Sequence, residues 1–341
     1  MRHRHRQAPV EGGRLLGLVD AFQGARVAVY GDLIVDEFIY GEIARVSREA
    51  PVLILNYDST ELVPGGAGNA AANVAALGGR PLVVGLAGRD EAGRRLVATL
   101  RRDGSITGIA RPAGYRTPTK TRILAGGVHS AKQQVVRIDR ASATAAADGH
   151  QAGIEAKLRR AVTSCNAMLV SDYGARLVSP RLVSAVRKGM PSGTPVLVDS
   201  RYGLLGFRGM TACTPNESEV EQLFGVRIGE NLRVLERAGR DLLDRTRAQA
   251  VLVTRGSRGM ALFERRRPTV HIPIHGSDQI ADVTGAGDTV IATMTLALAA
   301  GARFEEAARL ANYAGGIVVM KRGTARVSAD ELRAVILSDL G

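Results

Sequence analysis

Short apolar runs alternate with longer amphipathic runs along most of this chain. The longer runs, such as 91–102, place apolar residues at helical spacing. Five apolar runs rich in β-branched residues predict buried strands, at 26–32, 82–86, 167–171, 196–199 and 250–254. Strands that alternate with helices are typical of a parallel sheet covered by helices. We therefore predict an α/β fold with a mostly parallel central sheet flanked by helices.

Other strand-like runs do not follow this rhythm. They lie at 38–40, 52–57, 119–124 and 134–138. We expect them to form a small β-sheet that projects from the main body, and over the carboxyl ends of parallel strands it would act as a lid. The predicted organisation is an N-terminal tail with a short helix (1–25), one domain (26–330, with the lid from about 36–64 and 107–139) and a C-terminal end (331–341).

The composition is that of a globular protein with a strong positive charge. The 341 residues are 45% hydrophobic, and 46 Lys and Arg against 33 Asp and Glu give a net charge of +13. Such a charge raises the possibility of a nucleic-acid partner. However, the basic residues are scattered, aromatic residues make up only 4%, and Trp is absent, so stacking platforms are scarce. We predict no nucleic-acid partner, and attraction to an anionic small molecule would explain the positive charge equally well.

Cysteine content and hydropathy bear on location. Cys165 and Cys213 are too few for a zinc site or a disulfide framework, which fits a reducing cytosol. The N-terminus lacks the apolar stretch of a signal peptide, and the longest apolar run, 289–300, falls short of the ~20 residues that span a bilayer. We predict a cytoplasmic protein with no membrane partner.

The strongest chemical signal is the segment Asp282-Val-Thr-Gly-Ala-Gly-Asp288, which leads into a helical run. Small residues at Gly285, Ala286 and Gly287 let backbone N–H groups approach an anion, and the helix start adds its positive dipole end. Asp288 would then stand beside a phosphoryl group, where it can accept a proton from an attacking hydroxyl. The alternative is a glycine turn whose aspartate caps the helix.

The sequence contains neither a Walker A pattern nor a protein-kinase signature. Together with the earlier Gly65-Gly66 turn, the segment 282–288 resembles the two signatures of the ribokinase-like (PfkB) sugar kinase family, and the resemblance runs from about Arg26 to Val327. It implies an ATP-dependent kinase with an alcohol acceptor. In this family Asp288 would be the catalytic base, and the amides of 285–287 would form the anion hole.

The resemblance also implies a nucleotide side. Asn216-Glu-Ser-Glu219 is similar to the family's Asn-x-x-Glu element, which places Mg²⁺ largely through water, although Asn216 and Glu219 also fit a helix capping box. Thr254, Gly256 and Gly259 lie in a turn similar to the one that contacts ATP, and a plain hairpin is the alternative. Asn312 and the pair Gly323-Thr324 match positions lining the adenine pocket. A solvated helix residue is the alternative for Asn312.

On the acceptor side, the pattern Gly31-Asp32-Leu-Ile-Val-Asp36 matches one in which the second aspartate bonds sugar hydroxyls. The resemblance therefore assigns Asp36 to the sugar. It assigns Gly65, Gly66 and Asn69 to the turn and amide that hold the sugar against this carboxylate. For Asn73 we favour a packed or capping helix residue.

Several stretches, among them 119–122, 133–139 and 171–173, are most similar to the family members that phosphorylate the anomeric hydroxyl of D-glycero-D-manno-heptose 7-phosphate to the 1,7-bisphosphate. A phosphorylated acceptor needs cations near the lid. The candidate acceptor residues beyond those above are Lys120, Arg122, Arg137 and Asp172, with contributions from Arg45 and Arg48. The alternative for such strand cations is solvated protection of a sheet edge.

Two departures from those heptose kinases concern the phosphate contacts. Gly174-Ala-Arg176 stands where they usually carry Lys-Gly, and Asp199-Ser-Arg201 stands where they usually have Pro-Lys after the aspartate. Arg201 would keep the cation, but its planar fork is not equivalent to a lysine.

Other functions stay open at this point. The chain could phosphorylate another sugar, sugar phosphate or nucleoside, or be a non-catalytic regulator that binds a nucleotide or sugar. Some relatives carry a C-terminal nucleotidyltransferase domain, and we expect this chain to lack that activity. From the resemblance we also expect a homodimer, because lids in this family can pair, and a monovalent cation such as K⁺ near the second signature.

Overall fold

The computed structural model describes residues 12–104, 108–126, 132–141, 150–276, 282–321 and 323–340. The helices are α1 (Gly12–Asp20), α2 (Ala67–Ala76), α3 (Glu91–Arg102), α4 (Gln151–Val162), α5 (Pro180–Arg187), α6 (Glu217–Phe224), α7 (Leu232–Thr246), α8 (Ala286–Ala299), α9 (Phe304–Val319) and α10 (Ala329–Leu340). The strands are β1 (Arg26–Gly31), β2 (Leu33–Val46), β3 (Leu53–Gly66), β4 (Arg80–Leu86), β5 (Ile109–Ala110), β6 (Thr119–Gly126), β7 (Gln133–Arg140), β8 (Ala167–Asp172), β9 (Val196–Ser200), β10 (Ala212–Cys213), β11 (Ala250–Thr254), β12 (Met260–Glu264) and β13 (Val270–Ile272).

A nine-stranded sheet forms the centre of the molecule, with the strand order β13-β12-β11-β10-β9-β8-β1-β4-β5. The strands from β5 to β11 pair in parallel, whereas β12 and β13 are antiparallel to their neighbours. The predicted mostly parallel sheet is confirmed. Because the carboxyl ends of its parallel strands lie along one edge, the loops that follow them are brought together there.

Helices cover both faces of this sheet and bury two apolar cores. On β1, Val27 and Val29 face the core formed with α1, α2, α8, α9 and α10, while Ala28 and Tyr30 face the core formed with α4, α5, α6 and α7. This alternation is the two-residue period of a strand buried on both sides. Helix α8 is buried on nearly every side from Asp288 to Ala297, which fixes the position of Asp288 in its first turn.

The lid is a separate four-stranded sheet in the order β3-β2-β6-β7. Strands β2 and β3 are 14 residues long, so the predicted runs at 38–40 and 52–57 were too short. Residues 42–46 are exposed, and without a buried face no clear alternation marks them as a strand. The predicted second lid segment, 107–139, begins too early, because Ile109–Ala110 pairs with β4 of the central sheet.

The predicted helix 91–102 and strand 250–254 begin and end where expected. Of the predicted tail, residues 1–11 lie outside the described residues, as do parts of the predicted lid at 107 and 127–131. Within the described part of the chain, no helix has both the length and the apolar character that crossing a membrane requires.

Candidate active site

The start of helix α8 is shaped by a glycine that no other residue could replace without strain. Gly285 caps the helix with a φ of 80°, in the left-handed region. A Cβ at this position would lie 2.6 Å from Asn69 Nδ2 and 3.0 Å from the methyl group of Thr324. Gly287, the second residue of the helix, has open space around it. The Ala286 N–H donates to the Val283 carbonyl over 3.3 Å, so the anion hole formed by the amides of 285–287 stays a prediction that the open space at Gly287 permits.

Asp288, in the first turn of α8, is 2% exposed and anchored at both carboxylate oxygens. Asn69 Nδ2 donates to Oδ2 over 2.9 Å, and the Tyr173 hydroxyl donates to Oδ1 over 3.1 Å. Burial raises the pKa of Asp288 to about 7, although these two hydrogen bonds act in the opposite direction. Asp288 does not cap the helix with its side chain. Its carboxyl group is held for proton exchange near neutral pH.

Tyr173 owes its position to Asp32. The Asp32 carboxylate Oδ2 accepts hydrogen bonds from the backbone N–H groups of Tyr173 (2.8 Å) and Ala175 (3.0 Å), which fixes the turn after β8. Burial and the neighbouring Asp288 raise the pKa of Tyr173 well above its usual value, so the phenol keeps its proton and remains a donor. Our sequence interpretation missed this role of Tyr173, although the residue follows a buried strand and lies in the stretch 171–173 that is similar to the heptose kinases.

Asp172, the neighbour of Tyr173, was predicted to contact the acceptor. One carboxylate oxygen accepts from Ser200 Oγ (2.6 Å) and the other from the backbone N–H of Gly174 (3.0 Å). Asp172 therefore ties the ends of β8 and β9 together. Each oxygen can accept a further hydrogen bond, so the contact with the acceptor stays a prediction.

On the lid side, Asp36 is 6% exposed and forms an ion pair with Arg122, with 2.6 Å between Oδ1 and the guanidinium. Gly65 lies against Oδ2 of Asp36 so closely that a Cβ would collide with it. Thr324 Oγ1 lies 3.5 Å from the same oxygen. Thr324 was expected in the adenine pocket, and this contact corrects its place to the acceptor side.

The helix residues behind the glycine turn support Asp288. Asn69 is 1% exposed, and Asn73, one helical turn later, donates to the Asn69 backbone and side-chain oxygens over 3.1 Å. Thr289 donates to Asn73 Oδ1 over 3.2 Å. The prediction of Asn73 as a packed helix residue is confirmed, and its role is to orient the Asn69 amide.

The predicted nucleotide residues lie at the carboxyl ends of β10 and β11. Asn216 and Thr254 are bridge partners. The turn from Thr254 to Gly259 closes an antiparallel hairpin between β11 and β12, in which Gly256 and Gly259 have positive φ. Asn312 is 7% exposed and donates to the Pro273 carbonyl over 2.9 Å, so the alternative of a solvated helix residue is wrong.

Asn216 and Glu219 form the predicted capping box at the start of α6. Glu219 Oε2 accepts from the Asn216 backbone N–H, and Asn216 Oδ1 accepts from that of Glu219, both over 2.9 Å. Burial raises the pKa of Glu219, and burial together with Glu219, Asp288 and Asp172 raises that of Asp199. A divalent cation would relieve the repulsion between these carboxylates. In the described part of the chain no group of three or more His, Cys, Asp or Glu side chains could hold a metal ion, so Mg²⁺ here would be held largely through water.

The cations predicted near the acceptor occupy different environments. Lys120 lies over the Tyr173 ring, 4.5 Å from its centre, whereas Arg137 is ion-paired with Asp139 on the outer lid strand β7. Arg45 and Arg48 are exposed. Arg45 lies nine residues beyond Asp36 on β2, roughly 30 Å away along the strand. The proposed contributions of Arg45 and Arg48 to an acceptor beside Asp36 on the same chain are therefore wrong.

Comparison with known proteins agrees with this arrangement. Residues 25–331 match the pfkB family carbohydrate kinases. The bifunctional protein HldE of Nitrobacter winogradskyi is 40% identical over 325 residues, which cover 94% of this chain and 65% of that protein. The chain thus spans somewhat less than two thirds of the length of this relative.

Solved structures share the fold at low sequence identity. Ribokinase of Arabidopsis thaliana, in complex with ribose and ATP, superposes with a TM-score of 0.68 at 21% identity, over 93% of this chain and 98% of that one. Phosphofructokinase-2 of Escherichia coli, in complex with potassium, gives 0.70 at 19% identity, over 93% and 99%. With its ribokinase-like sheet, its lid and a match that covers nine tenths of its length, the chain belongs to the pfkB family of carbohydrate kinases, phosphotransferases that act on an alcohol group.

Proposed function

We propose that this kinase transfers the γ-phosphoryl group of ATP to the anomeric hydroxyl of D-glycero-D-manno-heptose 7-phosphate and produces the 1,7-bisphosphate. The observation that carries the kinase mechanism is Asp288: a buried carboxyl group with a pKa of about 7, in the first turn of a helix that a glycine caps in the left-handed conformation. The heptose phosphate is supported by the similarity of 119–122, 133–139 and 171–173 to such kinases.

In the proposed reaction, Asp288 accepts the proton of the anomeric hydroxyl as its oxygen attacks the γ-phosphorus. The bond from this phosphorus to the β,γ-bridging oxygen breaks, and its electron pair leaves with ADP. The amides at 285–287 face the negative charge of the transferring group, where the helix dipole adds to them. A base with a pKa near 7 is ionised in half or more of the molecules at neutral pH and still binds the proton it receives.

Mg²⁺ would neutralise charge on the ATP phosphates when bound. We assign its placement to Asn216 and Glu219, acting through water, and add the neighbouring Asp199, whose pKa is raised by burial and then by Glu219 and Asp288. Thr254, Gly256, Gly259 and Asn312 would contact the nucleotide, since they lie on the hairpin and helix beside this position. A monovalent cation such as K⁺, held mainly by backbone carbonyls near 282–288, is part of the same proposal.

On the acceptor side, Asp36 would accept hydrogen bonds from sugar hydroxyls, with Gly65, Gly66 and Asn69 against the sugar. The close packing of Gly65 on Asp36 leaves this face flat enough for a ring. Arg122 pairs with Asp36 and orients its carboxylate, rather than contacting phosphate itself.

The test is an ADP-release screen with heptose 7-phosphate, fructose 6-phosphate, ribose, fructose and adenosine as acceptors. Heptose 7-phosphate is expected to give the highest kcat/KM. Turnover of unphosphorylated acceptors alone would contradict the proposed substrate. Absence of turnover with every acceptor, together with retained ATP binding, would favour a regulator over an enzyme.

We also propose a homodimer that forms through the lids. Eight large apolar side chains of the lid are at least 37% exposed: Ile43, Val46, Val52, Leu53, Tyr57, Val135, Val136 and Ile138. An exposed apolar surface of this kind is typical of an interface. Light scattering is expected to give a dimer mass, and Ile138→Glu is expected to give a monomer. A monomeric wild-type protein at micromolar concentration would contradict this arrangement.

A cytoplasmic location is part of the proposal. ATP as the donor requires a compartment that contains it. Cys165 and Cys213 are both buried as free thiols, which a reducing compartment maintains. Fractionation of cells that express the full chain, followed by immunodetection, tests this location.

A further inference from the structure

A buried carboxylate bridges two arginines beside the predicted nucleotide residues. Glu217 is the first residue of α6, directly after Asn216, and its side chain is 10% exposed. Its Oε2 accepts from Arg255 Nε over 2.7 Å, and its Oε1 accepts from Arg258 Nη2 over 2.5 Å. Both arginines belong to the turn between β11 and β12. Side chains therefore join this turn to the start of α6, in addition to the backbone bridge between Asn216 and Thr254.

Arg255 also holds a third segment in place. Its side chain is 6% exposed, and its Nη2 donates to the Gly229 carbonyl over 2.8 Å. Gly229 lies in the connection between α6 and α7. One guanidinium thus joins the turn after β11, the start of α6 and the connection that precedes α7. The planar fork of an arginine can make two such contacts at once, whereas a lysine ammonium is a single point charge.

The two arginines differ in burial. The Arg258 side chain is 45% exposed, so solvent screens its attraction to Glu217. Arg255 and Glu217 are both largely removed from water, where each charge is costly unless the other neutralises it. A buried ion pair adds little net stability compared with apolar residues of similar volume. Its more distinctive contribution is the fixed geometry that it imposes on the segments it joins.

We propose that Glu217 and Arg255 are positioning residues for MgATP. Arg255 begins the turn whose glycines would contact the nucleotide, and Glu217 lies between Asn216 and Glu219, which would place Mg²⁺ through water. Their ion pair sets the distance between the nucleotide contacts and the metal side, and neither side chain needs to touch the ligand. The inference rests on the proposed function, because it takes the positions of the nucleotide and of Mg²⁺ from it.

The experiment measures the Kd of MgATP by calorimetry without an acceptor, so the result does not depend on the sugar. Arg255→Lys is expected to raise this Kd about 10-fold, because one ammonium group cannot serve both Glu217 and Gly229. Glu217→Gln is expected to raise it about 10- to 100-fold, because it removes the charge that neutralises Arg255. In steady-state assays the KM for ATP should rise likewise, while the KM for the acceptor stays within about threefold of wild type.

A double variant separates positioning from stability. Glu217→Gln alone leaves Arg255 without its buried counter-charge and should lower the urea midpoint of unfolding. Glu217→Gln combined with Arg255→Gln removes both charges and should recover most of that stability. The Kd of MgATP should nevertheless stay raised in the double variant, because the connection to the turn has not been restored. If this Kd returns to the wild-type value together with the urea midpoint, the pair serves folding alone and the inference is wrong.

Glu306→Gln is the matched control for the loss of a buried glutamate. Glu306 lies in the first turn of α9 with a side chain that is 3% exposed, and it also pairs with two arginines, Arg303 (3.0 Å) and Arg14 (3.6 Å). Helix α9 begins only after α8 has run about 20 Å from its first turn at the site. The Kd of MgATP should therefore not change in Glu306→Gln, even where the stability falls.

Arg258→Gln separates the buried pair from the exposed one. Because the Arg258 guanidinium is half-exposed, its loss is expected to raise the Kd of MgATP less than about threefold. A Kd raised as far as in Arg255→Lys would contradict the assignment to the buried pair.

The calorimetric result also separates this inference from the proposed function. If the wild type binds MgATP and both Arg255→Lys and Glu217→Gln bind it equally well, the inference is wrong and the proposed function stands. If the wild type does not bind MgATP, the proposed donor is wrong, and so are the positions on which this inference rests.

Discussion

Tyr173 and Asp288 are 115 residues apart in the chain, and the phenol hydroxyl of one donates to the carboxylate of the other over 3.1 Å. The donor comes from the turn after β8, and the acceptor comes from the first turn of α8. Asp32 fixes the backbone of Tyr173, so the phenol is held against the carboxylate by groups that themselves have little freedom. A hydrogen bond to a carboxylate favours its ionised form. Tyr173 therefore keeps the pKa of Asp288 lower than burial alone would set it.

Replacement of this tyrosine should change the pH dependence of the enzyme. With the wild type, kcat/KM is expected to fall below about pH 7, because Asp288 must be ionised to accept a proton. In Tyr173→Phe the carboxylate loses one donor, so its pKa rises and the acid limb moves up by about one unit. Rate measurements from pH 5.5 to 9 test this. An unchanged acid limb, with a correctly folded variant, would show that another group controls it.

Asp288→Asn is expected to remove activity and to stabilise the fold. We expect kcat to fall at least ~10²-fold because the general base is lost, with ATP affinity nearly unchanged. In the folded protein the pKa of Asp288 is raised from 3.8 to about 7, so its ionisation costs folding free energy as pH rises through this window. The variant avoids this cost, which is about 4 kcal/mol at pH 8 because each pKa unit corresponds to ~1.4 kcal/mol.

The same comparison of wild type and Asp288→Asn at pH 4 is the control for this stability difference. At pH 4 the wild-type carboxyl group is largely protonated in the folded protein and about half protonated in the unfolded chain, so the two proteins should unfold at similar denaturant concentrations. Urea titrations at pH 4 and pH 8 measure both values. Equal stability of wild type and variant at pH 8 would show that ionisation of Asp288 does not destabilise the folded protein.

Gly285→Ala is expected to reduce kcat by more than its loss of stability can explain. The left-handed backbone alone costs roughly 1–2 kcal/mol for alanine. The new methyl group would also press on Asn69 Nδ2 and displace the donor of Asp288. Gly301→Ala is the matched control, because Gly301 has a φ of 81° at the other end of α8 and open space around it. Both variants should lose stability, and only Gly285→Ala should lose most of its kcat.

Asp36→Asn tests the acceptor side. The loss of charge breaks the ion pair with the largely buried Arg122, so we expect the KM for the sugar to rise about 10- to 100-fold. The KM for ATP should not change. Glu37→Gln is the control, since the next side chain along the strand lies on the other side of the lid sheet and contacts Thr121 and Arg140. Equal effects of the two substitutions on KM would argue against a sugar contact at Asp36.

Much of the fold could be predicted because buried helices and strands repeat apolar residues at a regular spacing in the sequence. β11 and α3 were predicted at their observed bounds, and the glycine turn before α8 was predicted from small residues that only a close approach explains. The exposed halves of β2 and β3 were not predicted. Solvent on both faces of a strand removes the alternation of apolar and polar residues by which a strand is identified.

Contacts between distant segments were the least predictable part of the site. The sequence places Thr324 far from Asp36, and only the tertiary fold brings the hydroxyl to 3.5 Å from the carboxylate. Ion pairing was also invisible in the sequence. Arg122 and Lys120 are two residues apart on the same strand, yet one is paired with Asp36 and the other faces the ring of Tyr173.

The connection between body and lid has a mechanical consequence. β1 ends at Gly31 in the central sheet and β2 begins at Leu33 in the lid, so Asp32 is the single residue between two separately built sheets. Its carboxylate also holds the backbone at Tyr173 and Ala175. One side chain thus links the junction of the two sheets to the turn that carries the phenol, so a change at Asp32 is expected to disturb both at once.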